Sequence, residues 1–84
     1  MTYQIVIKKR AKKFIEVLPR NERARIVAEI EKLPGGEDIK KLKGHKDYFR
    51  LRVGSYRIIY TVDNGKCVVC VIDAGNRGEI YNRY

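Results

Sequence analysis

The stretch Phe49-Arg50-Leu51-Arg52-Val53-Gly54-Ser55-Tyr56-Arg57-Ile58-Ile59-Tyr60 decides the fold. Phe49, Leu51 and Val53 alternate with Arg50 and Arg52, the period of a strand with one buried face. Gly54-Ser55 makes a two-residue turn, and Tyr56 to Val62 is the returning strand. A two-residue loop fixes the register, so Val53 faces Tyr56 and Arg52 lies directly opposite Arg57, on the face that also carries Arg50. Like charges directly opposite across strands destabilise by roughly 0.2 to 1 kcal/mol, so a chain selected only for folding avoids this pair. Removing Arg57 is accordingly expected to leave stability unchanged or to raise it. The same face is expected to continue into Ile59, Val68, Cys70 and Ile72, an apolar floor on which arginine forks suit bidentate phosphate contact.

Outward toward the C-terminus, Asn64-Gly65 predicts a type I′ hairpin turn, because both central residues of that turn need positive φ. Lys66 to Ala74 follows, and its run Cys67, Val68, Val69, Cys70, Val71, Ile72 suits a central strand covered on both faces. A last short strand is expected from Glu79 to Tyr81, with no further helix before Tyr84. Toward the N-terminus, Tyr3, Ile5 and Ile7 alternate as an opening strand. Ala11, Phe14, Ile15 and Leu18 recur at helical spacing, and Pro19 is placed to open a second helix with the stripe Ile26, Val27, Ile30 and Leu33. Pro34-Gly35-Gly36 stops that helix. The order is β-α-α-β-β-β: an α+β fold in which an antiparallel helical hairpin covers one face of a mostly antiparallel sheet. Residues 1–84 read as a single domain without repeats or low-complexity tracts.

Composition narrows the function. A chain of 84 residues has room for one small core, which excludes a doubly wound nucleotide enzyme or a barrel. The net charge is +9 and the hydrophobic content 44%, too apolar for a disordered basic tail. Residues 1–39 carry +3, residues 40–57 carry +6 and residues 58–84 carry none, so most of the excess sits in an 18-residue stretch. Such a patch is either a solvated face or a footprint for a phosphate backbone, and charge alone does not choose. No apolar run approaches the roughly 18 residues that span a bilayer, and no secretory leader is recognised, so a cytoplasmic protein without a membrane partner is expected.

Cys67 and Cys70 spell C-x-x-C, but on one strand they point to opposite faces, and with a single His45 they are too few for tetrahedral zinc. Buried, reduced thiols in a reducing compartment are the reading. One histidine also excludes a two-histidine ribonuclease site, and the acids are not clustered for a metal nuclease. Neither metal nor cofactor is expected. Phosphoryl chemistry in this chain falls to cations and phenols.

Leu42-Lys43-Gly44, Arg50-Leu51-Arg52-Val53-Gly54, Tyr56-Arg57-Ile58-Ile59-Tyr60 and Gly75-Asn76-Arg77 followed by Tyr81 closely resemble the RelE branch of the RelE/ParE toxin superfamily. The resemblance runs along nearly the whole chain. Its tyrosine-arginine-two apolar-tyrosine element is shared across the superfamily and speaks for the fold, whereas the full basic and aromatic set speaks for the activity. The resemblance implies a toxin of a type II toxin-antitoxin system: a ribosome-dependent endoribonuclease that cuts mRNA in the ribosomal A site and so inhibits translation. It implies an acidic, RelB-like antitoxin as partner, together with mRNA and the rRNA of the small ribosomal subunit. Matched motif to motif, the site positions are Arg50, Arg52, Arg57, Arg77 and Tyr81; Lys40, Lys41, Lys43 and Lys46 of the basic stretch are expected to bind RNA and ribosome. The family pattern has lysines at the first two positions; arginine keeps the charge there but does not give up its proton.

Cleavage of RNA by its own 2′-hydroxyl needs that hydroxyl deprotonated, negative charge stabilised on a crowded phosphorus, and charge compensation at the departing 5′-oxygen. Arg57 with Arg50 and Arg52 is assigned to the phosphate and Arg77 to the leaving group. Tyr81 is either a base, its phenol pKa depressed by cations, or a stacking platform. Two other readings stand beside this one: a ParE-like inhibitor that binds DNA gyrase, and a non-catalytic RNA-binding module.

Overall fold

The computed structural model describes residues 3–36, 38–44 and 47–84. His45 and Lys46, expected in a basic surface loop, lie outside the described residues. Among the rest, strand β1 (Gln4–Ile7) is followed by helices α1 (Lys9–Glu16) and α2 (Arg20–Ile30). Then come β2 (Ile39–Lys41), β3 (Phe49–Val53), β4 (Tyr56–Asp63), β5 (Val68–Asn76) and a terminal helix α3 (Arg77–Arg83). The five strands form one sheet in the order β1-β5-β4-β3-β2, antiparallel except where β1 runs parallel to β5.

The apolar periods identified in the sequence are the ones that pack. Ala11 and Ile15 of α1, with Ile26 and Ile30 of α2, bury against Leu51, Val53, Ile58, Tyr60, Val69 and Val71 of the sheet. Leu33 joins them from the turn after α2, and Val27 is half-buried. Pro19 stands at the N-cap of α2 in extended backbone, one position before the helix it was expected to open. Tyr56 ties the hairpin to α2 by donating its hydroxyl to Glu22 at 2.6 Å, with Phe14 edge-on to its ring.

Four expectations need correction. Asn64-Gly65 does not form a two-residue turn: Asp63 pairs with Val68, and the four residues between them turn with Cys67 at φ +54. Asp63 accepts a hydrogen bond from the Lys66 amide at 3.1 Å, as Asx chemistry favours. Cys67 therefore lies in this turn rather than on the strand, and both cysteines are half-buried rather than buried, without a disulfide. Ile39–Lys41, read only as part of a basic segment, is an edge strand, short and lysine-rich as exposed edges tend to be. Finally, Glu79–Tyr81 is helical, so the chain does carry a C-terminal helix.

The hairpin register holds as read: Val53 pairs with Tyr56 and Arg52 with Arg57. Gly54 has φ +60, as the first central position of a type II′ turn requires, and a Cβ there would stand 3.2 Å from Nη1 of Arg25. Gly54→Ala is expected to lower stability by about 1 to 2 kcal/mol, the cost of left-handed backbone for an L-residue. Urea unfolding checks this through a lower midpoint at unchanged slope.

Candidate active site

The site lies on the sheet face opposite α1 and α2. Antiparallel partners share a face, so Lys40 joins Arg50, and Arg50 joins Ile59. Arg52 and Arg57 lie beside them toward the hairpin. On β5, Arg57 pairs with Gly75 and Ile59 with Asp73. The expected apolar continuation through Ile72 is interrupted because the register shifts between Ile59 and Tyr60, leaving Tyr60 opposite Val71. This bulge brings Asp73 onto the arginine face while Val71, Val69 and Ala74 stay in the core.

Asp73 is fully buried and well satisfied. Arg83 donates to it through Nε at 2.9 Å and Nη2 at 3.1 Å, and the Tyr84 hydroxyl donates at 3.1 Å. Its own side chain also accepts from the Ala74 amide at 2.9 Å, and Arg10 approaches to 3.7 Å. These bonds seat the end of α3 on the sheet. Ile80, fully buried, seats its middle, and the Arg77 amide donates to the Ser55 carbonyl at its start. A helix of seven residues is not stable alone, so these tertiary contacts are what hold it.

Held in this way, α3 presents Tyr81 to the arginines. The guanidiniums of Arg57 and then Arg50, through hydrogen bonding and charge, hold the Tyr81 phenol below its ordinary pKa. Arg77 lies over the Tyr81 ring, 5.8 Å from its centroid. The neighbouring Tyr84 is pushed the other way, first by burial and then by the Asp73 charge. Lys40, Lys41, Leu42, Lys43, Arg50, Tyr81 and Tyr84 line a groove of about 340 Å³.

Arg50, Arg57, Arg77 and Tyr81 are thus brought together, with Lys40, Lys41 and Lys43 along the adjoining groove. Arg52 is engaged by a carboxylate: its Nε donates to Asp38, which also takes Nη2 of Arg50 at 3.4 Å. Simple repulsion between Arg52 and Arg57 is therefore not what the structure contains. Arg57 is only 6% exposed and donates through Nη1 to the carbonyls of Gly54 at 2.8 Å and Tyr56 at 2.9 Å. Its Nε and that of Arg50 are buried without a partner, and among the described residues no carboxylate pairs with Arg57. A buried guanidinium left partly unsatisfied is costly in a scaffold and useful in an anion site.

Asp38, Asp73 and Tyr84 did not stand out in the sequence. The available signal for Asp73 was an acid interrupting an apolar strand, ten residues before an arginine that could reach back to it.

Fold and site together define a small α+β domain with a cationic, tyrosine-bearing sheet face. The family model described as the ParE toxin of type II toxin-antitoxin systems, parDE, matches residues 5–81, and the chain belongs to this family, within the RelE/ParE superfamily. Solved structures of RelE toxins resemble it over nearly its full length. RelE of the archaeal RelE-RelB complex from Pyrococcus horikoshii is 32% identical, covering 93% of this chain and 98% of that one with a TM-score of 0.74. The RelB-RelE complex from Methanococcus jannaschii gives 30% identity, coverage of 94% and 98%, and a TM-score of 0.76. The intact RelBE complex of E. coli gives 30%, 89% and 96%, and 0.72. Among curated protein sequences no match was found. No helix among the described residues is long and apolar enough to cross a membrane.

Arg57→Ala removes the donor from two turn carbonyls, so it is expected to cost about 1 to 2 kcal/mol rather than nothing. The same substitution should raise the Tyr81 phenol pKa. Urea midpoints measure the first effect and the ¹³Cζ titration of Tyr81 the second; an unchanged phenol would show that Arg57 does not govern it.

Proposed function

We propose that this toxin is a ribosome-dependent endoribonuclease that cleaves mRNA in the decoding site, with Arg50, Arg57, Arg77 and Tyr81 as its working residues. The observation that carries the proposal is the buried Arg57, converging with Arg50 on the Tyr81 phenol without a carboxylate partner among the described residues. In this mechanism the Tyr81 phenolate takes the proton of the attacking 2′-hydroxyl. The 2′-oxygen forms a bond to phosphorus as the bond from phosphorus to the 5′-oxygen breaks, giving a 2′,3′-cyclic phosphate and a 5′-hydroxyl. Arg57 and Arg50 stabilise the charge that gathers on the phosphoryl oxygens. Arg77, over the Tyr81 ring, is assigned to the charge on the departing 5′-oxygen, which takes its proton from solvent.

A phenol whose pKa is lowered only by neighbouring cations is a modest base at neutral pH. A host that aligns the 2′-oxygen with the phosphate supplies the missing part through orientation, which gives the ribosome requirement a physical reason. Lys40, Lys41 and Lys43 extend the positive surface along the groove, a charge that suits an rRNA backbone. The complexes of similar toxins with RelB support an antitoxin as the partner of this chain, and its net charge of +9 favours an acidic one. The family match to ParE favours one second reading, inhibition of DNA gyrase by binding on the same scaffold.

Added to a translation mixture, the protein is expected to produce new mRNA 5′ ends within codons in the decoding site and to leave free RNA largely intact. Mapping 5′ ends with and without ribosomes checks this, with a gyrase supercoiling assay alongside. Equal cutting of naked RNA would remove the ribosome requirement. Absence of cutting together with lost supercoiling would assign the toxin to gyrase. Tyr81→Phe should lower cleavage at least about a hundredfold, the usual range for a general base.

A further inference from the structure

Asp38 is the one carboxylate among the described residues that pairs with Arg50 and Arg52, and the proposed reaction gives it no role. Its two oxygens divide their partners: Oδ1 takes Nη2 of Arg50 at 3.4 Å, and Oδ2 takes Nε of Arg52. A phosphodiester would engage the same two guanidiniums through its two non-bridging oxygens. The Arg50 side chain is 12% exposed and Asp38 34%, so this anion holds a nearly buried cation while remaining open to water. The backbone holds it beside the arginines as well: the Asp38 carbonyl accepts the Arg52 amide at 3.2 Å, and its φ is +57.

We infer that Asp38 is an internal competitor for RNA phosphate, occupying Arg50 and Arg52 in the empty protein and giving them up when a phosphodiester enters. The inference rests on the reading of Arg50 as a phosphate contact. Its consequence is selectivity: a weakly held single phosphate loses to the tethered carboxylate, whereas RNA fixed by many other contacts displaces it. The carboxylate then moves into water and Arg52 becomes available to the substrate. Arg52, otherwise held by Asp38, thereby regains a role in the site.

Asp38→Asn tests this with little risk to the fold, because asparagine tolerates positive φ and keeps the shape. Asp38→Gly serves as the second variant. Binding of an uncleavable 2′-O-methyl RNA oligonucleotide is measured by fluorescence anisotropy without ribosomes, beside urea midpoints and an Asp63→Asn control in the distant turn. Both Asp38 variants are expected to bind about threefold to tenfold more tightly than the parent, the range of an exposed to partly buried ion pair released from competition. The control should change less than twofold. Unchanged or weaker binding by both Asp38 variants overturns the inference, whether or not they are less stable. So does equal tightening by the control, which would reduce the effect to net charge. Because no cleavage is read, a protein that never cuts mRNA on the ribosome can still confirm the competitor, and an active nuclease can still refute it.

Discussion

The buried carboxylate of Asp73 is the interaction on which the arrangement of this molecule depends. Simple alternation along β5 would place Asp73 on the same face as Val69 and Val71, inside the core. An unpaired carboxylate there is untenable, since burial without partners costs far more than one apolar contact returns. The register shift opposite Ile59 and Tyr60 moves it to the other face, where Arg83 and Tyr84 meet it. One irregularity thus keeps the core apolar and creates an anchor for the terminal helix. The Asp73–Arg83 pair is better understood as a device of position than of stability, because desolvation offsets much of the Coulomb gain when an ion pair is buried.

From that anchor the chemistry of the groove follows. Tyr81 and Tyr84 lie three residues apart on or just beyond α3, yet their environments drive their phenols in opposite directions. Tyr81 meets guanidiniums and is pushed down; Tyr84 meets burial and a carboxylate and is pushed up. The two phenols are thereby made unequal: Tyr81 gives up its proton more readily than a free phenol and Tyr84 less readily. The arginines separate similarly. Arg57 is fixed by turn carbonyls, Arg77 stands over an aromatic ring, Arg83 is spent on Asp73, and Arg50 and Arg52 share Asp38.

Much of this was legible where local chemistry dictates geometry. Gly54-Ser55 sets a two-residue turn, the turn sets the register, and the register places Arg52 against Arg57, so the central hairpin and its cationic face could be read directly. Helices α1 and α2 were legible because their apolar residues recur at helical spacing over several turns. Helix α3 was not, since seven residues with one buried apolar side chain, Ile80, carry too little periodicity to distinguish helix from strand. Strand β2 escaped for a related reason: Ile-Lys-Lys has no alternation, and pairing with β3 alone defines it. Asn64-Gly65 misled because a strong turn dipeptide fixes where the chain reverses but not how many residues the loop holds; here Cys67 takes the left-handed position. The convergence of Arg50, Arg57, Arg77 and Tyr81 was readable as a set from the family resemblance. The diversion of Arg52 and the burial of Arg57 depend on Asp38 and on turn carbonyls, contacts that no spacing reveals.

The two faces of the sheet divide the demands placed on a chain this small. The face toward α1 and α2 is consistent at every level, with apolar period, helix placement and core packing in agreement, and it supplies the driving force for folding. The opposite face carries the local conflicts: guanidinium nitrogens buried without partners, and a carboxylate moved by a bulge. Such conflicts cost stability, and they persist where the surrounding structure can bear them and function needs them. A sheet suits this division because successive side chains point to opposite sides, so Leu51 and Val53 pack in the core while Arg50 and Arg52 between them carry charge on the other face. The hairpin therefore specifies the fold with one set of residues and the cationic face with the other.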